Sequence, residues 1–166
     1  DVCSSDLRSF AGLAVPYGNS NSIPFSRSYF SGGSNDNRAW QPYSLGPGKS
    51  GGLNDFNEAN MKLTLSAELR YNLFGKFNGA VFTDIGNIWN VFDNVTDEAY
   101  TFKGLKSIEE VAIGSGLGIR YDQGLFVVRF DVGFKTYNPS KLNNEKWFRE
   151  INLAQSVLNI GINYPF

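Results

Sequence analysis

Histidine is absent from the 166 residues, which removes the commonest general base and a frequent metal ligand together. Cysteine occurs once, at Cys3, too few for a disulfide framework or a cysteine-built metal site. Without a histidine or a poised thiol, the many Ser and Asp residues offer no nucleophile–base pair. No enzymatic reaction, cofactor or metal is expected. No charge of one sign dominates either: fifteen basic and sixteen acidic residues leave a net charge of -1, so no nucleic-acid partner is indicated. Long apolar runs are missing as well. No stretch of about 18 apolar residues exists to make a transmembrane helix. A membrane is not thereby excluded, because a spanning β-strand needs only about 9–11 residues, and these alternate.

What the chain has instead is glycine (18 residues), aromatics (15%) and alternation. Over residues 61–73, Met61, Leu63, Leu65, Ala67, Leu69, Tyr71 and Leu73 hold one parity, and Lys62, Thr64, Ser66, Glu68, Arg70 and Asn72 hold the other. An ordinary globular strand is about five or six residues long, and these thirteen residues suit a strand tilted through a bilayer. Further strands are predicted over residues 9–17, 77–90, 107–121, 126–135 and 158–166. In the second of these, Phe82 and Asp84 oppose Val81, Thr83 and Ile85, with mixed patterning; in the last, Leu158, Ile160, Ile162, Tyr164 and Phe166 oppose Asn159, Gly161 and Asn163. Phe74-Gly75-Lys76 and Asp122-Gln123-Gly124 read as tight turns, whereas residues 18–60, 91–106 and 137–150 read as long polar loops.

Long loops on one side and tight turns on the other are the connections of an outer-membrane barrel. The apolar parities would face lipid and the polar, glycine-rich parities a wet lumen. Tyr71, Phe77, Trp89, Tyr121 and Tyr164 fall near predicted strand ends, where interfacial girdles form. The fold class is therefore an all-β, antiparallel transmembrane β-barrel. Six strands are fewer than the roughly eight with which such barrels begin, so the expectation is the tail of a larger barrel or a protomer that closes with copies of itself.

The first long loop carries Gly32, Gly33, Asn37, Arg38, Ala39, Trp40, Gly46 and Pro47. Its aromatics argue against a plain linker, and loops of that length are usually functional or disordered. Glu68 and Asp84 lie on the lumenal parity of adjacent strands, and a guanidinium fork meets carboxylates bidentately. The residues alone leave two readings open. Either Arg38 folds inward to these acids, or it is a solvated loop residue and the acids line a wet pore.

Several segments together resemble the BamA/TamA superfamily (bacterial surface antigen family). They are Tyr29-Phe30-Ser31-Gly32-Gly33-Ser34, Asn37-Arg38-Ala39-Trp40, Leu45-Gly46-Pro47, Glu68-Leu69-Arg70, Phe82-Thr83-Asp84-Ile85-Gly86-Asn87-Ile88-Trp89, Gly114-Ser115-Gly116-Leu117-Gly118-Ile119-Arg120-Tyr121 and Val128-Arg129-Phe130-Asp131. The resemblance implies the last six strands of a sixteen-stranded barrel, with periplasmic POTRA domains upstream and a place in the bacterial outer membrane. It implies insertion or translocation of client β-barrel or secreted proteins, in contact with lipid and with periplasmic or inner-membrane assembly partners. It makes Arg38 the loop arginine and Glu68 and Asp84 its partners, and it makes Ile160, Ile162, Tyr164 and Phe166 the C-terminal assembly signal and seam. Asn37, Ala39 and Trp40 stand where the family usually has Val-Arg-Gly and an aromatic residue, which suggests a divergent TamA-like subgroup. A partner-secretion transporter, a passive channel and a phospholipase-linked barrel remain alternatives.

Other short motifs in the chain point to no further chemistry. Gly114-Ser115-Gly116-Leu117-Gly118 lies within a strand and lacks the third glycine of a dinucleotide loop. Asp93, Asp97 and Glu98 read better as a solvated acidic loop than as a cation site, and the triplet Asn94-Val95-Thr96 means little in a bacterial chain. Finally, Asp1-Val2-Cys3-Ser4-Ser5-Asp6-Leu7 resembles the translation of a sequencing-adapter read-through. Residues 1–7 are expected to be non-native and residues 8–166 to be barrel, with any signal peptide or upstream domain out of view.

Overall fold

The computed structural model describes residues 3–52, 57–92 and 94–163. Seven strands form one antiparallel sheet: β1 (Cys3–Leu13), β2 (Met61–Phe74), β3 (Phe77–Trp89), β4 (Ala112–Asp122), β5 (Val127–Tyr137), β6 (Trp147–Glu150) and β7 (Val157–Asn163). Neighbours in the chain pair from β1 to β5, and β6 and β7 then share the far side of β5. β7 pairs from Gly133↔Val157 to Val127↔Asn163, whereas β6 meets β5 at Lys135↔Glu150 and Tyr137↔Trp147. The sixth lane of the sheet is thus one strand interrupted by residues 151–156.

Three predicted boundaries are corrected, one of them at the fourth strand, which begins at Ala112 and not at residue 107 because Gly104–Glu110 coil into a 3-10 helix. The first strand lies at Cys3–Leu13, not at residues 9–17. Its extent follows its partner: Leu13 is level with Met61, where β2 begins, and one further bond, from Ala14 N–H to the Asn60 carbonyl at 2.7 Å, ends the pairing. Within it Cys3 to Leu7 stand opposite Tyr71 to Ala67, and Asp6 pairs with Arg70 at 3.3 Å. The third long loop was predicted to run unbroken through residues 137–150, yet its last four residues are β6. Pairing with the end of β5 imposes that strand where period-2 patterning is too short to show.

Burial runs opposite to that of a soluble domain. Among the described residues, seventeen buried side chains are polar or charged and ten are apolar. Leu65, Leu69, Val81, Leu117, Ile119, Phe130, Leu158 and Ile160 are exposed along the other face. An apolar stripe of this extent calls for a membrane or a partner, and it is the parity predicted to face lipid. Among the described residues no helix is long and apolar enough to cross a membrane. The two tight turns lie at one end of the sheet, joined by Asp122 N–H donating to the Lys76 carbonyl at 3.0 Å. Phe74, Phe77 and Tyr121 stack there with centroids 5.1 and 4.8 Å apart. Trp89 does not belong to such a girdle. It is buried beneath the β3–β4 loop, donates to Glu110 Oε2 at 3.0 Å and meets Phe102 edge-on.

Candidate functional site: a loop arginine locked to the barrel wall

The loop between β1 and β2 has its own short ladder. Tyr29 and Ala59 exchange backbone hydrogen bonds at 2.7 and 2.9 Å, and Ser31 bridges Leu45. Gly32 and Gly33 adopt φ of 99° and 102°, a region costly for other residues, and turn the chain so that Gly33 N–H reaches the Trp40 carbonyl at 2.8 Å. Asp36 Oδ2 fastens this turn, accepting from Ser31 Oγ, Gly32 N–H and Lys62 Nζ at 2.8, 2.7 and 3.0 Å. Trp40 is buried with Ala39, Leu45 and Ala112. Further on, Pro47 forms a parallel bridge with Ile88, and Gly46 packs against Ser50 and Gly52. The loop motif predicted from sequence is one folded unit.

That unit presents Arg38 to the inner face of the sheet. Its Nε and Nη2 donate to Asp84 Oδ2 and Oδ1 at 2.8 and 2.9 Å, and its backbone N–H adds a third bond to Oδ2 at 3.0 Å. Nη1 donates to Glu68 Oε2 at 2.5 Å. The guanidinium carbon lies 3.5 Å from the centroid of the Phe82 ring, within range of a cation–π attraction. Arg38, Asp84 and Glu68 are 2%, 1% and 8% exposed, so the solvated reading of Arg38 is set aside. Burial opposes the charge on Arg38, but its bonds to Asp84 and Glu68 and their charges outweigh that and hold its pKa above the ordinary arginine value.

The wall supplies more than the two predicted acids. Arg120 donates from Nη2 to Glu68 Oε2 at 2.9 Å and from Nη1 to Asp131 Oδ1 at 2.5 Å. Asp131 Oδ2 is 3.6 Å from Arg38 Nη1. Arg70 Nε donates to Glu68 Oε1 at 2.7 Å, and Ser66 Oγ to Asp84 Oδ1 at 2.8 Å. Two wall cations, Arg70 and Arg120, and three carboxylates, Glu68, Asp84 and Asp131, thus interleave across β2 to β5 around the loop residue Arg38. Arg120 and Asp131 had a signal in the sequence, a charge on the lumenal parity, near the end of β4 for Arg120 and in the middle of β5 for Asp131. What was missing was the register that sets Gly118 opposite Asp131 and so lets the Arg120 head turn toward β5.

Small residues let the loop approach. A Cβ on Gly133 would run into the Arg38 carbonyl, and one on Gly114 would run into Asn37 Oδ1 and the Ala39 side chain. Ala39, which replaces the family's usual glycine, is not among the residues of positive φ. Its methyl faces Gly114 instead, so this departure imposes no backbone strain.

The remaining predicted residues fall elsewhere. Ile160 and Ile162 are exposed on β7, while Tyr164 and Phe166 lie outside the described residues. Asp93 does too; Asp97 Oδ1 accepts from Ala99 N–H, and Glu98 pairs with Lys103 at 2.9 Å, which holds its carboxyl below the ordinary value. Among the described residues no group of three or more metal-ligating side chains assembles.

An antiparallel sheet with an apolar outer face, a charged inner face and a loop bonded to that inner face defines the wall of a membrane β-barrel with an inserted loop. The Omp85 superfamily domain, as a family model, matches residues 6–161. The chain belongs to the Omp85 superfamily, in keeping with its BamA/TamA resemblance, and its fold is an outer-membrane β-barrel fold. No curated protein is matched.

Proposed function

We propose that this protein assembles or translocates other proteins at the bacterial outer membrane, as a divergent TamA-like member of its superfamily. Its clients are β-barrel or secreted chains, handled with periplasmic or inner-membrane partners, and its own outward face sits in outer-membrane lipid. The reading requires no enzymatic chemistry. The observation that carries it is the burial of Arg38 against Asp84 and Glu68. A passive pore needs only a polar lumen, whereas this loop is fastened across the wall by charged groups that are costly to bury unless paired. The terminal strand, with Ile160 and Ile162 outward, is the seam at which client strands engage.

The test is made in cells that depend on the full-length protein. Arg38→Ala and Glu68→Gln, each produced at wild-type level, are expected to lower the amount of folded outer-membrane barrel proteins. Loss of a single exported protein, with the barrels intact, would point to a partner-secretion transporter. Unchanged clients in both variants would overturn the reading.

A further inference from the structure

β7 reaches the lock directly. Asn159, its central lumenal residue, is 7% exposed and donates from Nδ2 to the carbonyl oxygen of Arg38 at 2.8 Å, across 121 residues of chain. Asn159 stands opposite Asp131, the acid nearest Arg38 on β5. Two residues further along β7, Gly161 lies under Arg129, and a Cβ there would press on the Arg129 side chain. Arg129 Nη2 in turn donates to the Ser34 carbonyl at 2.7 Å and to Asn35 Oδ1. The inner face of β7 therefore meets both ends of the Ser34–Arg38 turn, one end through Asn159 and the other through the arginine that Gly161 accommodates. Among the described residues β7 pairs only with β5, and its other edge is unpaired.

We infer that Asn159 is a positioning residue that couples the loop lock to the terminal strand, so that loosening either one loosens the other. The inference rests on the lock in the proposed function but not on what the clients are. Removing the Asn159 amide leaves the Arg38 carbonyl buried without its donor, and a buried acceptor left unmade favours the state in which it reaches water. When β7 parts from β5, the same bond is lost from the other side. Coupling of this kind is reciprocal.

Hydrogen exchange read by mass spectrometry on the full-length protein in detergent tests both directions without any client. Asn159→Ala is expected to speed exchange of a peptide spanning residues 32–41 about tenfold, the effect of losing one well-made buried bond, with the Phe74–Phe77 turn unchanged. Glu68→Gln, at a residue of β2 that β3 and β4 separate from β5, is expected to speed exchange of residues 157–163 along with the loop. Asn159→Ser, which keeps a hydroxyl but on a side chain too short to make the same bond to the Arg38 carbonyl, should fall between wild type and the alanine variant in the loop and keeps the test open if Asn159→Ala fails to fold. A Glu68→Gln loop that exchanges faster while β7 exchanges as in wild type would overturn the coupling and leave the lock standing. No change in either peptide would remove the lock and the coupling together. Acceleration everywhere in Asn159→Ala, the distant turn included, would make Asn159 a general stability residue and overturn the inference. Because exchange needs no client, failure of the assembly assay alone would leave this result unaffected.

Discussion

Arg120 and Arg129 stand directly opposite each other across β4 and β5, at a spacing where like charges destabilise a sheet. The two resolve this differently. Arg120 is held by Glu68 at 2.9 Å and Asp131 at 2.5 Å, whereas Arg129 turns to the loop and donates to the Ser34 carbonyl at 2.7 Å. One wall cation thus joins carboxylates of β2 and β5, and the other grips the loop that those carboxylates receive. The loop arginine points to the wall while a wall arginine points to the loop.

Arg120→Met should therefore be costly although no sequence motif marks the position. It leaves Asp131 without its bonded cation and Glu68 with one fewer, in a region where Arg120 itself is 3% exposed. Breaking a buried pair from one side costs about 3–5 kcal/mol. The expected result is a clear fall in the temperature at which the folded barrel loses its fast migration on unboiled gels. Stability equal to wild type would show that Arg38 and Arg70 satisfy Glu68 unaided.

At Arg38 the geometry of the charge matters as much as its sign. Asp84 receives three separate donors from this residue, two of them from the guanidinium fork, and a lysine ammonium cannot span the same pair of oxygens while also reaching Glu68. Arg38→Ala should cost about 3–5 kcal/mol, and Arg38→Lys should recover only part of it. Protease cleavage of the loop, followed with time on the purified full-length protein, reads the order: wild type slowest, lysine between, alanine fastest. A lysine variant as resistant as wild type would reduce the lock to a point charge.

The parts of this site that could be read in advance are those written as alternation. β2 carries its lumenal and outward residues in strict turn, so Glu68 was placed correctly from pattern alone, and Asp84 followed from its neighbour. Arg38 stood out as the sole cation among the turn residues of its loop segment. Asn159 and Arg129 were less visible, because an amide or arginine on a polar parity looks the same whether it meets water or a carbonyl from a distant loop, and Asn87 was hidden because it shares the parity of Val81 and Ile85 yet is covered by the loops. β6 was hidden for a different reason. Its four residues pair with β5 through a register shift, and Trp147-Phe148-Arg149-Glu150 alone shows no period to detect. Trp89 was misplaced because a tryptophan near a strand end suits a girdle and a loop-covered pocket equally well.

Gly133→Ala tests the close approach without touching any charge. The added methyl would meet the Arg38 carbonyl carbon and oxygen and the Ala39 nitrogen, all backbone atoms that cannot rotate away. Overpacking of this kind typically costs about 1–3 kcal/mol, and here the loop is the part able to move. Faster proteolysis of the loop is expected, with the strands' own exchange little changed. If the loop stayed protected, it would be more tolerant of displacement than its contacts indicate.

The lock should be indifferent to pH over the neutral range. A cation whose folded pKa lies above its unfolded value lends stability that is fully present below the unfolded value and is lost only as pH rises through the folded one. Arg38 is shifted in that direction, from a reference already far above the neutral range, and this chain has no histidine to titrate between about pH 5 and 8. Loop proteolysis, corrected for the protease's own pH profile, should be flat from about pH 6 to pH 9. A step within that window would mean that another group controls the loop.

The second anchor of the loop is Asn87, and its loss should uncouple the shoulder of the loop from the lock. Asn87 is fully buried; its Nδ2 donates to the Gly48 carbonyl at 2.6 Å and to the Glu110 carbonyl at 2.5 Å, and its Oδ1 accepts from Ile88 N–H at 2.8 Å. One side chain thus ties the inserted loop to the end of the β3–β4 loop, beside the Pro47–Ile88 bridge. Asn87→Ala strands these backbone groups, at about 1–3 kcal/mol for each that finds no other partner. Asn87→Asp should be worse, because it keeps the acceptor and turns negative oxygen toward two carbonyls. Hydrogen exchange should accelerate around residues 46–52 and 99–110 in both variants. The peptide holding Arg38 should change far less, since its bonds to Asp84 and Glu68 remain. Equal acceleration at Arg38 would mean that the loop leaves the wall as one piece and that the two anchors are a single cooperative unit.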